Sequence, residues 1–164
     1  MNCPSCAKKI VPAAGETDSR ILLIGEFPGE SELRYGKPMA GPTGKIFRKE
    51  FMKYIGQDLW MFRVCNLWLH EPNKDENCLS VGHDLVLEEA TDRDVVVLIG
   101  SEAVSHFCGF SVSDVNGMVV PSEYFPDKIV FCMINPAIIF HKGVGELIFS
   151  LSQLRKVLDE ANIL

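Results

Sequence analysis

Long apolar runs are missing from this 164-residue chain. No stretch approaches the roughly 20 residues that a membrane-spanning helix needs, so no membrane partner is expected. The opening residues Met1-Asn2-Cys3-Pro4-Ser5-Cys6 lack the apolar core of a secretory signal, and the expectation is a cytoplasmic, intracellular chain in reducing surroundings. There, the six cysteines read as metal ligands or buried thiols rather than disulfides. Internal repeats, linkers and low-complexity segments are also absent, and the length suits one compact domain over 1–164. Positive charge is scarce. The 16 Lys and Arg against 22 Asp and Glu leave a net −6, which alone argues against nucleic acid as a partner. The charge is uneven, however. Between Arg34 and Arg63 seven basic residues face only Glu50 and Asp58, and between Glu71 and Asp94 eight acidic residues face only Lys74 and Arg93. A locally basic face can hold phosphates on an acidic protein, because fields are screened beyond about 10 Å. Solvated helix faces produce the same pattern.

What the chain does have is a strand that runs into dense Gly/Pro loops. Ile21-Leu22-Leu23-Ile24 reads as a buried strand. It leads into Gly25-Glu26-Phe27-Pro28-Gly29 and then Gly36-Lys37-Pro38-Met39-Ala40-Gly41-Pro42-Thr43-Gly44. Such loops let backbone approach a ligand closely and aim bare N–H groups at it. In an open α/β sheet, ligands bind at this carboxyl edge of the strands.

The remaining pattern alternates strands with helices. Thr43 is placed to cap a helix to Ile55, with Ile46, Phe47, Phe51, Tyr54 and Ile55 on one face and Gly56 at its end. Met61–Leu69 reads as a strand, 70–78 as a polar loop, and Leu79–Ala90 as a helix whose start Gly82 weakens. Val95–Ile99 is a buried strand ending at Gly100, and Ser101 is placed to cap a helix to Cys108, stopped by Gly109. Met118–Val120 suggests an edge strand, Ile129–Ile134 a buried one, and Gly145–Ala161 a last helix buried along Leu147, Ile148, Leu151, Leu154, Val157 and Leu158. The pattern is that of an α/β fold, a three-layer α/β/α sandwich with a mostly parallel central sheet.

Three strand ends then converge on one sheet edge, carrying Glu26 to Gly29, Asn66, and Asn135-Pro136-Ala137. Here the chain resembles the uracil-DNA glycosylase superfamily, nearest its family 4, the iron–sulfur branch. That branch opens with Cys-x-x-Cys and has a Gly-Glu-x-Pro-Gly loop. Seven residues later comes Gly-x-Pro-Phe-x-Gly-x-x-Gly. The family's Thr-Asn at the second strand end is Cys65-Asn66 here, its Leu-Gly is Ile99-Gly100, and its His-Pro-Ala is Asn135-Pro136-Ala137. The similarity covers nearly the whole chain. Two positions depart from it. Met39 stands where the family has the phenylalanine that stacks on the flipped base, and Asn135 where it has histidine.

The resemblance implies a DNA glycosylase that extrudes uracil or a modified pyrimidine, hydrolyses its N-glycosidic bond and leaves an abasic site. The departing base is anionic, so the site must stabilise that anion, help water attack, or both. Asn66 would read the pyrimidine edge, since an amide offers a donor and an acceptor; an Asn at a strand end is otherwise a turn residue. Asn135 would donate to the departing base, less strongly than imidazole. Glu26 would position water or hold the loop by accepting backbone N–H groups, and catalysis is assigned to Glu26 and Asn135. Phe27, Met39 and Asn66 form the base-binding set. Met39 is soft enough to admit a substituted base. Gly25, Pro28, Gly29, Gly41, Thr43 and Gly44 would approach DNA phosphates. Ile138, Ile139 and Phe140 would wedge the duplex, with His141 and Lys142 near phosphates; the isoleucines also suit a core.

Cys3, Cys6 and Cys78 match three family cluster ligands, and His70 takes the place of the fourth. The set Cys3, Cys6, His70 and Cys78 would hold a [4Fe–4S] cluster or, equally, a structural zinc. His83, one helical turn past Cys78, is a fallback. Cys65, Cys108 and Cys132 read as core thiols and His106 as structural. A monomer acting on single- or double-stranded DNA is the leading expectation. A member of the same fold that holds a flipped base without cleaving it, and a nucleotide-binding regulatory domain, are the rivals.

Overall fold

The computed structural model describes residues 1–164. Six strands form one sheet: β1 (Ala14–Gly15), β2 (Ile21–Gly25), β3 (Arg63–Asn66), β4 (Val95–Ile99), β5 (Met118–Val119) and β6 (Ile129–Met133). Their order is β1-β3-β2-β4-β6-β5. The four inner strands are parallel, with Leu23 opposite Val64 and Val97, and Val97 opposite Phe131. The two short outer strands are antiparallel. Strands β2 and β4 are buried at every position, as the unbroken apolar runs require of a sheet covered on both faces.

Seven helices surround the sheet: α1 (Glu30–Tyr35), α2 (Pro42–Ile55), α3 (Glu76–Ala90), α4 (Ser101–Cys108), α5 (Val112–Val115), α6 (Ile139–Lys142) and α7 (Gly145–Glu160). The two-residue period of the strands divides the core in two. Ile21, Leu23, Val95, Val97, Ile99, Phe131 and Met133 face α2 and α7, where Phe47, Phe51, Ile55, Leu147, Leu151 and Leu154 fill the layer. Leu22, Ile24, Val96, Leu98, Val130 and Cys132 face the other side, with Val86 and Ala90 of α3 and Ala103, Val104 and Phe107 of α4. Phe51 meets Phe47 and Phe62 edge to face at 5.7 and 5.4 Å. Truncating such a ring costs about 3–5 kcal/mol.

Several boundaries differ from expectation, each for a local reason. Gly41, not Thr43, is the N-cap of α2, because Pro42 occupies the first helical position, where its missing N–H costs nothing. Gly100 rather than Ser101 precedes α4. Helix α3 begins at Glu76, inside the expected loop, because the Asp75 carboxylate accepts the Asn77 N–H at 2.9 Å. Gly82 lies buried within α3 at a close approach, where a Cβ would collide with the Leu67 carbonyl oxygen. The expected strand Met61–Leu69 is only Arg63–Asn66; Leu59–Met61 is a 3₁₀ turn capped by Asp58. Strands β5 and β6 each stop one residue early, and α1, α5 and β1 arise where the pattern announced no helix or strand.

Candidate active site and metal tetrad

The order of strands places β2 beside β4, with β2 connecting outward to β3 on one side and β4 onward to β5 and β6 on the other. That is the switch point where an open sheet forms a crevice at its carboxyl edge. A cleft of about 270 Å³ lies there. Its walls include Gly25, Glu26, Phe27, Met39, Gly41, Thr43, Gly44, Asn66 and Asn135. The three side chains on which the sequence reading rests, Glu26, Asn66 and Asn135, therefore share one hollow.

Each is held by the backbone that delivers it. Strand β3 continues alongside the first loop, with the Leu67 and Trp68 N–H groups donating to the Gly25 and Glu26 carbonyls at 2.9 Å each. Asn66 is 5% exposed, lines the cleft, and its amide makes no hydrogen bond within the chain. Its amide atoms open to the cleft rather than being sealed off, so a ligand there can take up both the donor and the acceptor. Gly25 makes room for it, since a Cβ there would stand 2.5 Å from Asn66 Oδ1 and 3.2 Å from Met39 Cε.

Glu26 lies against Gly100, at the N-terminus of α4. Gly100 has φ +95° and ψ 167°, and a Cβ on it would collide with Glu26 Oε1. Burial pushes the Glu26 carboxyl above the ordinary range; the Asn135 amide and the Glu102 and Ser101 N–H groups stabilise its ionised form and offset part of that rise. Asn135 is committed at its oxygen. Its Oδ1 accepts the Ala137 N–H at 2.9 Å, capping the 3₁₀ turn Pro136–Ile138, while its amide lies near enough to Glu26 to favour the carboxylate's ionised form. This carboxylate is poised to accept a proton from water, and burial strengthens it as a base.

Met39 has φ +57°, a left-handed conformation that curls its loop over α2. Gly44 allows that approach, since a Cβ there would strike the Met39 carbonyl. Phe27 is 45% exposed at the cleft and free to meet a base. Four residues assigned to DNA lie elsewhere. Pro28 is buried, Gly29 caps α1, and His141 and Lys142 sit exposed on α6 without lining the cleft. Beside them Phe140 is 57% exposed, while Ile139 packs against the core. The basic stretch occupies the outer side of α2, with Lys45, Lys49 and Lys53 exposed and Arg48 over the Trp60 ring at 5.7 Å.

The sequence reading passed over Glu32. It lines the cleft from α1, its Oε1 accepts the Gly29 N–H at 3.0 Å, and its Oε2 is buried beside Gly41 without a partner. Its place three residues after Gly29 is the capping-box spacing, and that was the available signal.

Away from the cleft, one donor atom each from Cys3, Cys6, His70 and Cys78 lies within 4.8 Å of the others. The set comes together as the sequence implied, and it can hold a metal. His83 is not part of it. It turns to His106, ring nitrogen to ring nitrogen at 2.8 Å, amid Phe107 and Tyr124. Burial, then the neighbouring His83, holds His106 below its usual range. Cys65 and Cys132 are buried thiols, and burial pushes Cys65 up to about 12.

The model of the uracil DNA glycosylase superfamily matches residues 12–159. The chain belongs to that superfamily. The fold and the assignment to the DNA N-glycosylases, both read from the motifs, are thereby borne out. Type-4 uracil-DNA glycosylases are similar along most of their length. That of Thermotoga maritima is 28% identical over 147 residues, covering 84% of this chain and 75% of the relative. That of Archaeoglobus fulgidus is 27% identical over 162 residues, covering 87% and 80%. That of Saccharolobus solfataricus is 26% identical over 166 residues, covering 93% and 73%. No helix is long and apolar enough to cross a membrane.

Proposed function

We propose that this superfamily member is a monofunctional glycosylase that draws uracil or a modified pyrimidine out of DNA into the cleft and hydrolyses its N-glycosidic bond. The observation that carries the reading is Asn66, a largely buried residue whose amide opens into the cleft with donor and acceptor unspent, in a cleft that also holds a basic carboxylate. Such an amide matches the alternating acceptor and donor of a pyrimidine edge. Glu26 orients a water molecule towards the sugar carbon and takes its proton as the bond to the base breaks. Phe27 and Met39 border the ring. Met39 accommodates a bulkier base face than phenylalanine would, which supports a modified pyrimidine as substrate. Phe140, the exposed tip of α6, fills the gap left in the stack, with His141 and Lys142 beside the backbone phosphates. Six unpaired thiols suit an intracellular setting.

One observation favours a slower variant of the same function. Asn135 spends its oxygen on capping its own turn, and its amide, set beside Glu26, is a weaker donor to the departing base than an imidazole would be. A member that grips the flipped base without cutting is the extreme of that trend. Cleavage of single- and double-stranded oligonucleotides carrying uracil or a 5-substituted pyrimidine, with alkali to reveal abasic sites, decides among these. Cleavage is the expected result. A mobility shift without cleavage favours the base-holding reading, and binding of free nucleotides alone refutes both.

A further inference from the structure

We infer that the Cys3, Cys6, His70 and Cys78 tetrad is built for one tetrahedral zinc ion, and not for the four-iron cluster that the resemblance implies. With Zn–S near 2.3 Å and Zn–N near 2.0–2.1 Å, a tetrahedron sets neighbouring sulfurs about 3.8 Å apart and sulfur and nitrogen about 3.6 Å apart. Cys3 Sγ and Cys78 Sγ stand at 3.9 Å, Cys6 Sγ and His70 Nε2 at 3.3 Å, and all four donors within 4.8 Å. In a cubane cluster each ligand hangs on its own iron, which spreads the donors to roughly 6 Å. The tetrad would have to open by more than an ångström on every side to accept one.

The surroundings resist that opening. Residues 1–10 form a tight knuckle. The Cys3 N–H donates to the Lys8 carbonyl at 2.7 Å, the Ala7 N–H to the Cys3 carbonyl at 2.8 Å, and Ala7 takes a left-handed φ of +64°. The Val11 N–H donates to the Leu69 carbonyl at 2.9 Å, fixing the knuckle against the residue before His70. Cys3, His70 and Cys78 are all buried. His70 Nδ1 donates to the Glu71 carbonyl at 2.8 Å, which fixes the tautomer and leaves Nε2 as the ligand. The Asn73 amide donates to Cys78 Sγ at 3.5 Å, a partner for a thiolate. Three thiolates and a neutral imidazole around a closed position are a structural zinc set. Such an ion would pin the N-terminal knuckle to α3 and to the turn four residues beyond Asn66.

The full chain, expressed with added iron and purified without oxygen, tests this independently of any glycosylase activity. One zinc per chain, no acid-labile sulfide and no absorbance in the violet are expected. Four irons with four sulfides per chain would overturn the assignment, and so would one iron without sulfide. Protein grown with cobalt provides a second readout. Intense visible bands of a tetrahedral site support the inference; the weak bands of six-coordinate cobalt count against it.

Discussion

Replacing Gly100 with alanine should damage stability and catalysis together, and the structure says how the damage divides. Gly100 combines φ +95° with ψ 167°, a region essentially reserved for glycine. Holding alanine there costs about 1–3 kcal/mol. The strand pairing offers little relief, since the Gly100 N–H donates to the Met133 carbonyl at 2.9 Å and its carbonyl accepts the Val104 N–H at 3.1 Å. The three atoms nearest the new Cβ all belong to the Glu26 side chain, so the Cβ drives that carboxylate off the first turn of α4. General-base catalysis contributes about 10²–10⁴-fold, so Gly100→Ala should fall as far as Glu26→Ala does. A double-mutant cycle separates the two parts. In the Glu26→Ala background the collision is gone and only the backbone cost remains, so urea unfolding should show a smaller loss for Gly100→Ala there than in the parent. A loss below about 0.5 kcal/mol in the parent, or undiminished base excision by Gly100→Ala, would refute the placement of Glu26.

Glu26→Gln should lower excision by about 10²–10⁴-fold while raising the unfolding midpoint at neutral pH. The sign follows from the raised carboxyl: the folded state holds this proton more tightly, so the wild type loses stability as pH climbs from the ordinary carboxylate value through the raised one, and the glutamine variant does not. Excision by the wild type should rise over that same window. Asn66→Ala should leave stability within about 1 kcal/mol of the parent, because no partner is orphaned, yet cut excision about 100-fold through two lost hydrogen bonds of about 1–1.5 kcal/mol each. Single-turnover rates beside urea unfolding would show both. Glu89→Ala should cost about 2–3 kcal/mol: it strips Arg63 of two hydrogen bonds at 2.8 and 2.9 Å and Arg93 of one at 3.3 Å, while the Gly15 and Ser19 carbonyls still serve these cations. Arg63 beside Glu89 holds that carboxyl below its usual range, so the contribution is present above the ordinary value and fades as acid protonates it; the difference between variant and parent should shrink in acid urea titrations.

Much of this was readable in one dimension. The unbroken apolar runs Ile21–Ile24 and Val95–Ile99 could only be central strands, and the Gly/Pro loops after them could only sit at the ligand edge. Glu26, Asn66 and Asn135 followed because each ends a strand pointing the same way. Glu32 escaped because its signal belonged to helix α1, which six residues in a Gly-rich segment did not announce. The true start of α3 was hidden by an Asp cap inside a polar run, and the meaning of Gly82 by its dependence on a carbonyl fifteen positions away in sequence. Ligand residues of the tetrad could be named from the string, but the spacing between their donor atoms exists only in three dimensions.

Because the inner strands all run one way, the cleft is floored by strand ends, Gly25, Asn66 and Ile99, while Met39 and Asn135 reach it from segments outside the hydrogen-bonded ladder. Met39 and Asn135 can change identity while the strand pairing stays as it is, Met39 touching only the margin of the core under α2 and α7. A laboratory library confined to those two positions should therefore leave the strand pairing intact, with losses confined to the left-handed turn at Met39 and the cap that Asn135 supplies.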